Sequence, residues 1–339
     1  MTQEVLHIDN LRVSFRIRDD YYAAVNGVSL EVHPYEVLAI VGESGCGKSA
    51  LAQAVTGLHD PGRTKLEGSV WFEGTDLLSL QASELNQIRG KKIGLVYQDP
   101  LSALNPLMTA GKQIEESLDY HTSLSAEEKR QRTLRLLERV GIANAEQIYG
   151  SYPHELSGGM RQRVMIATAM ACDPVLLIAD EPTTALDVTT QAQIMALLKT
   201  LQQQTNAGIV LITHNLGVVA ELADRVAVMY MGEIVELTDV YTLFARPLHP
   251  YTRSLVHSIP SLQAPDERLH VIEGIVPPLH KWPAAGCRFQ PRIGWIPAED
   301  HEAAPALREV EPGHWVRCTC YRHFYIPRPH EGDMHDGFA

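Results

Sequence analysis

The sequence predicts an α/β fold: a mostly parallel core sheet, an antiparallel β subdomain, a helical insertion and a small C-terminal extension. Three observations predict it. Short continuous apolar runs recur at VLAIVG (37–42), IGLVYQ (93–98), VLLIAD (175–180), GIVLITH (208–214) and, more weakly, RVAVMYMG (225–232); runs without polar alternation mark strands buried on both faces. Helix-period segments separate them, as crossovers between parallel strands do. The opening differs, because VLHIDNLRVSF and VNGVSLEV alternate apolar with polar residues. That alternation reads as antiparallel strands with one wet face.

The helical insertion is placed at about 99–170. IEESLDY, SAEEKRQRTLRLLERVGI and GMRQRVMIATAMA carry apolar residues three and four apart, the spacing of a helix with one buried face. After HPYT (249–252) prolines accumulate, long periodic segments stop, and three of the five cysteines follow. A boundary near 250 therefore divides the chain into 1–250 and 251–339.

With 339 residues, 45% of them hydrophobic, the chain can bury a large core. A net charge of −12 argues against a surface that coats nucleic acid. The odd set Cys46, Cys172, Cys287, Cys318 and Cys320 suits a reducing compartment. The N-terminus MTQEVLHIDN lacks a secretory pattern, and no apolar run approaches the ~18 residues that span a bilayer. The chain is expected not to cross a membrane by itself.

GESGCGKS (42–49) follows a buried strand and precedes the helical ALAQAVTG. In that context G-x-x-x-x-G-K-S reads as a phosphate loop. Glycines at 42, 45 and 47 let backbone N–H groups, including those of Ser44, Cys46 and Ala50, turn toward phosphate, and the helix N-terminus adds its dipole. Lys48 is expected on the β- and γ-phosphates and the Ser49 hydroxyl on Mg²⁺. VLLIADEP ends a strand in two carboxylates that point oppositely. Alone they fit an acidic helix start equally well; beside a phosphate loop, Asp180 reads as the Mg²⁺ partner and Glu181 as the base for the attacking water. His214 and Gln98 stand at the ends of neighbouring apolar runs, on the crevice side where ligands of such sheets bind. His214 is a candidate to donate to the γ-phosphate and hold Glu181 and the water in register, and Gln98 to contact Mg²⁺ or the water.

One exposed, glycine-bearing helix start remains: LSGGMRQR at 156–163. Together with GESGCGKS, VYQDP, ADEP, the ALD turn at 185–187 and LITHN, it closely resembles the ATPase subunits of ABC transporters over about residues 5 to 250. The resemblance implies that Ser157, Gly158 and Gly159 cap the ATP held by a second subunit, and that Asp187 lies at the seam between the two. It implies that Gln98 and the insertion touch membrane-spanning subunits. Phe15, at the end of the first strand, is the expected adenine platform, with Tyr21 and Tyr22 as rivals.

NLRVSF, VYQDPLSALNP, ADEPTTALDVTTQAQI, RPLHPYTRSL and GCRFQPR narrow the resemblance to the oligopeptide, dipeptide and nickel importers. That branch implies ATP and Mg²⁺ as cofactors, two membrane-spanning permeases, a second ATPase of the same or a homologous chain, and an extracytoplasmic solute-binding protein. It places the chain peripherally on the cytoplasmic face of the inner membrane, with no nucleic acid as partner. The alternative function is a soluble ABC ATPase of translation or DNA repair. Many relatives carry four tail cysteines that bind a four-iron cluster. Here Cys287, Cys318 and Cys320 remain, and Ile293 stands where another is expected. A cluster wants four thiolates, so a metal-free tail is favoured, with His314 or His323 as the residue that could complete a metal site. Asn215 replaces the usual Asp after the histidine, with little effect expected on hydrolysis.

Overall fold

The computed structural model describes residues 4–184, 186–259 and 274–326. Its first strands are β1 (Leu6–Ile17), β2 (Asp20–Val32), β3 (Val37–Val41), β4 (Thr64–Phe72), β5 (Thr75–Asp76) and β6 (Ile93–Val96). Then follow β7 (Leu176–Asp180), β8 (Gly208–Thr213), β9 (Arg225–Tyr230), β10 (Glu233–Asp239), β11 (Leu307–Glu311) and β12 (His314–Arg317). The two sequence textures fold into two sheets. The alternating strands make an antiparallel sheet in the order β2-β1-β4-β5, and the apolar runs make an eight-stranded sheet in the order β11-β12-β10-β9-β3-β8-β7-β6.

Within the larger sheet β6, β7, β8, β3 and β9 run parallel. Every residue of β3 and β8 is buried, which is why those segments could not alternate. One face packs against the helices of the insertion, including Ala110–His121, Ala126–Arg139 and Gly158–Ala169. The other packs against the antiparallel sheet and the helix Lys48–Thr56. Two carboxyl-end residues sit past their strands: β6 stops at Val96 and β8 at Thr213, so Gln98 and His214 occupy the loops beyond.

The described part of the tail is welded to this sheet. β12 pairs antiparallel with β10, matching Glu236 to Val316 and Leu237 to Trp315, and β11 adds outside it. A third apolar cluster joins β9 to the tail through Tyr230, Tyr251, Phe289, Ile293 and Phe324. Full burial of a side chain such as Phe289 contributes about 1.5–3 kcal/mol. Among the described residues, no helix is long and apolar enough to cross a membrane.

Candidate active site

β3 runs into the phosphate loop, and the loop into the helix Lys48–Thr56. Neighbouring backbone dictates two of its glycines. A Cβ at Gly42 would lie 2.2 Å from the Met229 carbonyl oxygen, and one at Gly47, whose φ is +108°, would lie 2.2 Å from that of Ala24. Lys48 is nearly buried and donates from Nζ to the carbonyls of Gly42 (2.8 Å) and Glu43 (3.0 Å). Its charge is thus already at the loop's mouth, solvated by backbone.

Asp180 ends β7 beside this loop, with the Ser49 side chain close enough to influence its carboxyl. Its buried Oδ1 has no hydrogen-bond partner. Burial pushes the Asp180 carboxyl above its ordinary pKa, Ser49 opposes that shift, and the charge of Glu181 adds to it. A half-buried carboxylate with one buried, unpartnered oxygen beside a serine side chain is a donor set that suits a hard divalent cation. The residues predicted for Mg²⁺ therefore fit it chemically.

Glu181 is held from three sides. Gln98 Nε2 donates to Oε2 (3.1 Å), Thr184 Oγ1 donates to the same oxygen (2.9 Å), and His214 Nδ1 lies 3.2 Å from Oε1. Its backbone takes φ +47°, a left-handed conformation that a non-glycine side chain enters at a cost of order 1 kcal/mol or more. Sequence reasoning found Gln98, His214 and Glu181 from their strand-end positions. It missed Thr184, whose only signal was a hydroxyl three residues past Glu181 in ADEPTT.

These groups share a cavity of about 700 Å³, walled by the loop, by Gln98, Glu181 and His214, and on its apolar side by Phe15, Ala24, Leu279 and Trp282. Phe15 lies edge-on to His59 at 5.4 Å. The rivals are occupied elsewhere: Lys65 sits over the Tyr21 ring and His280 against Tyr22. Trp282 comes from the tail, fixed by a bond from Nε1 to the Pro277 carbonyl, and no sequence pattern announced it.

The tail also grips the loop directly. His249 caps the helix Pro250–His257, its Nδ1 accepting from the Tyr251 N–H. Complete burial pushes the His249 imidazole down to about 4, keeping it the neutral acceptor that the cap needs. Tyr251 then presents its hydroxyl to the phosphate loop and accepts the Glu43 N–H at 2.7 Å. Arg292 Nη1 reaches both Glu43 carboxylate oxygens at 2.9 Å. HPYT thus has a physical job. Tyr251→Phe would remove the partner of the part-buried Glu43 N–H, at about 0.5–1.5 kcal/mol, and the expected result is a slightly lower melting temperature together with weaker nucleotide binding by calorimetry.

Several predicted residues lie outside the cavity. Gly42, Cys46 and Asp180 do not line it, the Cys46 side chain being fully buried. Ser157, Gly158, Gly159 and Asp187 do not line it at all. Ser157 caps the helix Gly158–Ala169 by accepting the Met160 N–H, and it is exposed. Asp187 caps Val188–Thr205, accepting from Thr190 N and Oγ1; these bonds hold its carboxyl below the ordinary range. A Cβ at Gly159 would sit 2.8 Å from Thr190 Cγ2, so a larger residue there would make that methyl move. Ala185 of the ALD turn lies outside the described residues. Asn215 caps Leu216–Leu222 from Oδ1, as an aspartate would.

The tail histidines correct an expectation. His314 Nε2 is 2.8 Å from Glu236 and His323 is paired with Asp300 at 3.6 Å. The imidazole beside Cys287, Cys318 and Cys320 belongs to His301.

Comparison with known proteins agrees with this geometry. Residues 25–184 match the family described as ABC transporter, and residues 235–293 the oligopeptide/dipeptide transporter C-terminal region. The chain is 46% identical over 327 residues to the oligopeptide transport ATP-binding protein OppD of Lactococcus lactis subsp. cremoris, covering 96% of this chain and 97% of that one. This chain belongs to the ABC transporter ATP-binding proteins. A second relative of this ABC ATPase, the oligopeptide transport protein AppD of Bacillus subtilis, is 46% identical over 318 residues, 94% of this chain and 97% of its own. Among solved structures, the dimeric ATP-binding cassette MJ0796 bound to ADP and Pi superposes with a TM-score of 0.63 at 32% identity, over 69% of this chain and 98% of that one.

Proposed function

We propose that this ABC ATPase powers the uptake of a peptide-like solute through a membrane importer, hydrolysing ATP on residues 1–250 and stiffening that unit with the extension 251–339. The observation that carries the ATPase reading is the Glu181 carboxylate, clamped by Gln98, Thr184 and His214 in the same cavity as Lys48. The names of its relatives favour peptides over nickel as cargo, and the 235–293 match favours transport over a soluble role in translation or repair.

In this reading Lys48 exchanges its two carbonyl partners for β- and γ-phosphate oxygens, and the backbone N–H groups of residues 42–50 wrap the phosphates. Ser49, Asp180 and Gln98 would hold Mg²⁺, which when bound neutralises charge on the phosphates. Glu181 accepts a proton from the attacking water, while His214 keeps the carboxylate aimed and donates toward the γ-phosphate. Ser157, Gly158 and Gly159 serve the nucleotide of a second ATPase, the same or a homologous chain. Their exposed helix start, outside their own chain's cavity, supports that assignment.

Tyr97, Leu101 and Leu107 stand exposed beside Gln98 at the start of the insertion. They support docking of two permease subunits there, with the chain peripheral to the cytoplasmic face of the inner membrane and a solute-binding protein on the far side. Affinity capture of the tagged chain from gently solubilised membranes tests this: two polytopic proteins should co-purify, and recovery of ribosomal or repair proteins instead would overturn transport.

Phe15 and Trp282 are the adenine's apolar walls in this account. Trp282→Ala should weaken ATP binding about 3–10-fold, the range of an aromatic stacking contact, while leaving kcat at saturation nearly native. Unchanged affinity in fluorescence titration would remove Trp282 from the base's surroundings.

A further inference from the structure

The tail thiols are not arranged for the four-iron cluster that the branch of the family suggests. A cubane takes one thiolate on each of four irons, and its own bulk keeps those sulfurs well apart. Here three cysteines remain, and the expected further position is Ile293, 1% exposed and packed with Tyr251 and Phe289. The ligand atoms of Cys287, His301, Cys318 and Cys320 instead all lie within 4.8 Å of one another. A tetrahedral ion with bonds of about 2.3 Å to sulfur and 2.0–2.1 Å to nitrogen needs its ligands about 3.4–3.8 Å apart. The spacing suits one ion and excludes a cubane.

Two further features point to a ligand. Both ring nitrogens of His301 are buried without any hydrogen-bond partner among the described residues, whereas a buried imidazole ordinarily has both satisfied. The three cysteines are 5%, 3% and 0% exposed and unpaired by disulfides. Cys318 adopts φ +66°, a strained turn of the kind that persists where surroundings over-determine it. It ends β12 and returns the chain so that Cys320 meets Cys287. Arg288 and Arg317 line the small cavity beside Cys287 and Cys318, both paired there with Glu233.

We infer that Cys287, His301, Cys318 and Cys320 bind a single divalent ion of the zinc class in a tetrahedral Cys₃His site. Sulfur-rich tetrahedral sites select zinc over harder cations. The site is structural, since all four positions are protein ligands. It pins the segment from Cys287 to Arg292, whose arginines bond the Met231 carbonyl and Glu43 of the phosphate loop.

The test uses the full native chain, purified without oxygen, with zinc, iron and acid-labile sulfide quantified, followed by exchange with cobalt(II). The expected result is one metal per chain, no sulfide, and in the cobalt form the intense visible bands of a tetrahedral thiolate site; His301→Ala should lose the ion or shift those bands. Removing the ion should lower the melting temperature of the native chain, a readout independent of ATP turnover. Four irons with matching sulfide would overturn the inference, as would a metal-free native chain with three freely reactive thiols or a Cys318–Cys320 disulfide. Cobalt bands unchanged in His301→Ala would overturn the fourth ligand. Should His301→Ala fail to fold, the native chain's metal content and cobalt spectrum decide alone.

Discussion

Glu181→Gln is expected to bind ATP as the native chain does and to hydrolyse it about 10²–10⁴-fold more slowly, the usual contribution of a positioned base. The amide keeps the size of the side chain and can still meet Gln98, Thr184 and His214, so the clamp of 2.9–3.2 Å contacts should survive. What it loses is the capacity to accept a proton. Equilibrium binding and single-turnover hydrolysis separate the two effects. Near-native turnover would remove Glu181 from the base role.

Ser157→Arg is expected to bind ATP normally yet lose more than about 100-fold in hydrolysis, comparable to removing an essential transition-state donor. Ser157 lies outside its own chain's cavity, so the substitution should not alter affinity at Lys48. It does remove a helix cap, at about 1 kcal/mol. A melting curve should register only that modest loss. Normal hydrolysis by this variant would refute the capping of one subunit's nucleotide by another.

The parts of this molecule that the sequence made legible are those whose chemistry is local or periodic. Unbroken apolar runs declared β3 and β8 because both of their faces are buried. Gln98, Glu181 and His214 were found because parallel strands deliver their carboxyl ends to one crevice. Contacts that depend on the path of a distant segment left no such trace. Trp282 reaches the cavity, and Tyr251 the Glu43 N–H 208 positions away, only because the tail folds back along β9 and β10. His301 belongs with these: the fold brings it to the cysteines, while His314 and His323 are engaged by Glu236 and Asp300. Gly159 shows a subtler limit. Its motif suggested phosphate alone, yet the Thr190 methyl also crowds the space that a Cβ would take.

The central claim is that one complete ATP site needs residues from two chains. Its most direct test mixes two separately inactive proteins, Lys48→Ala and Ser157→Arg, under conditions where the purified native chain alone hydrolyses ATP. Neither variant should turn over by itself. An equal mixture should recover about a quarter of the native rate, because half of randomly assorted dimers are mixed and each contains one intact site of two. A mixture as inactive as its components, or a Ser157→Arg protein active without its complement, would contradict the account.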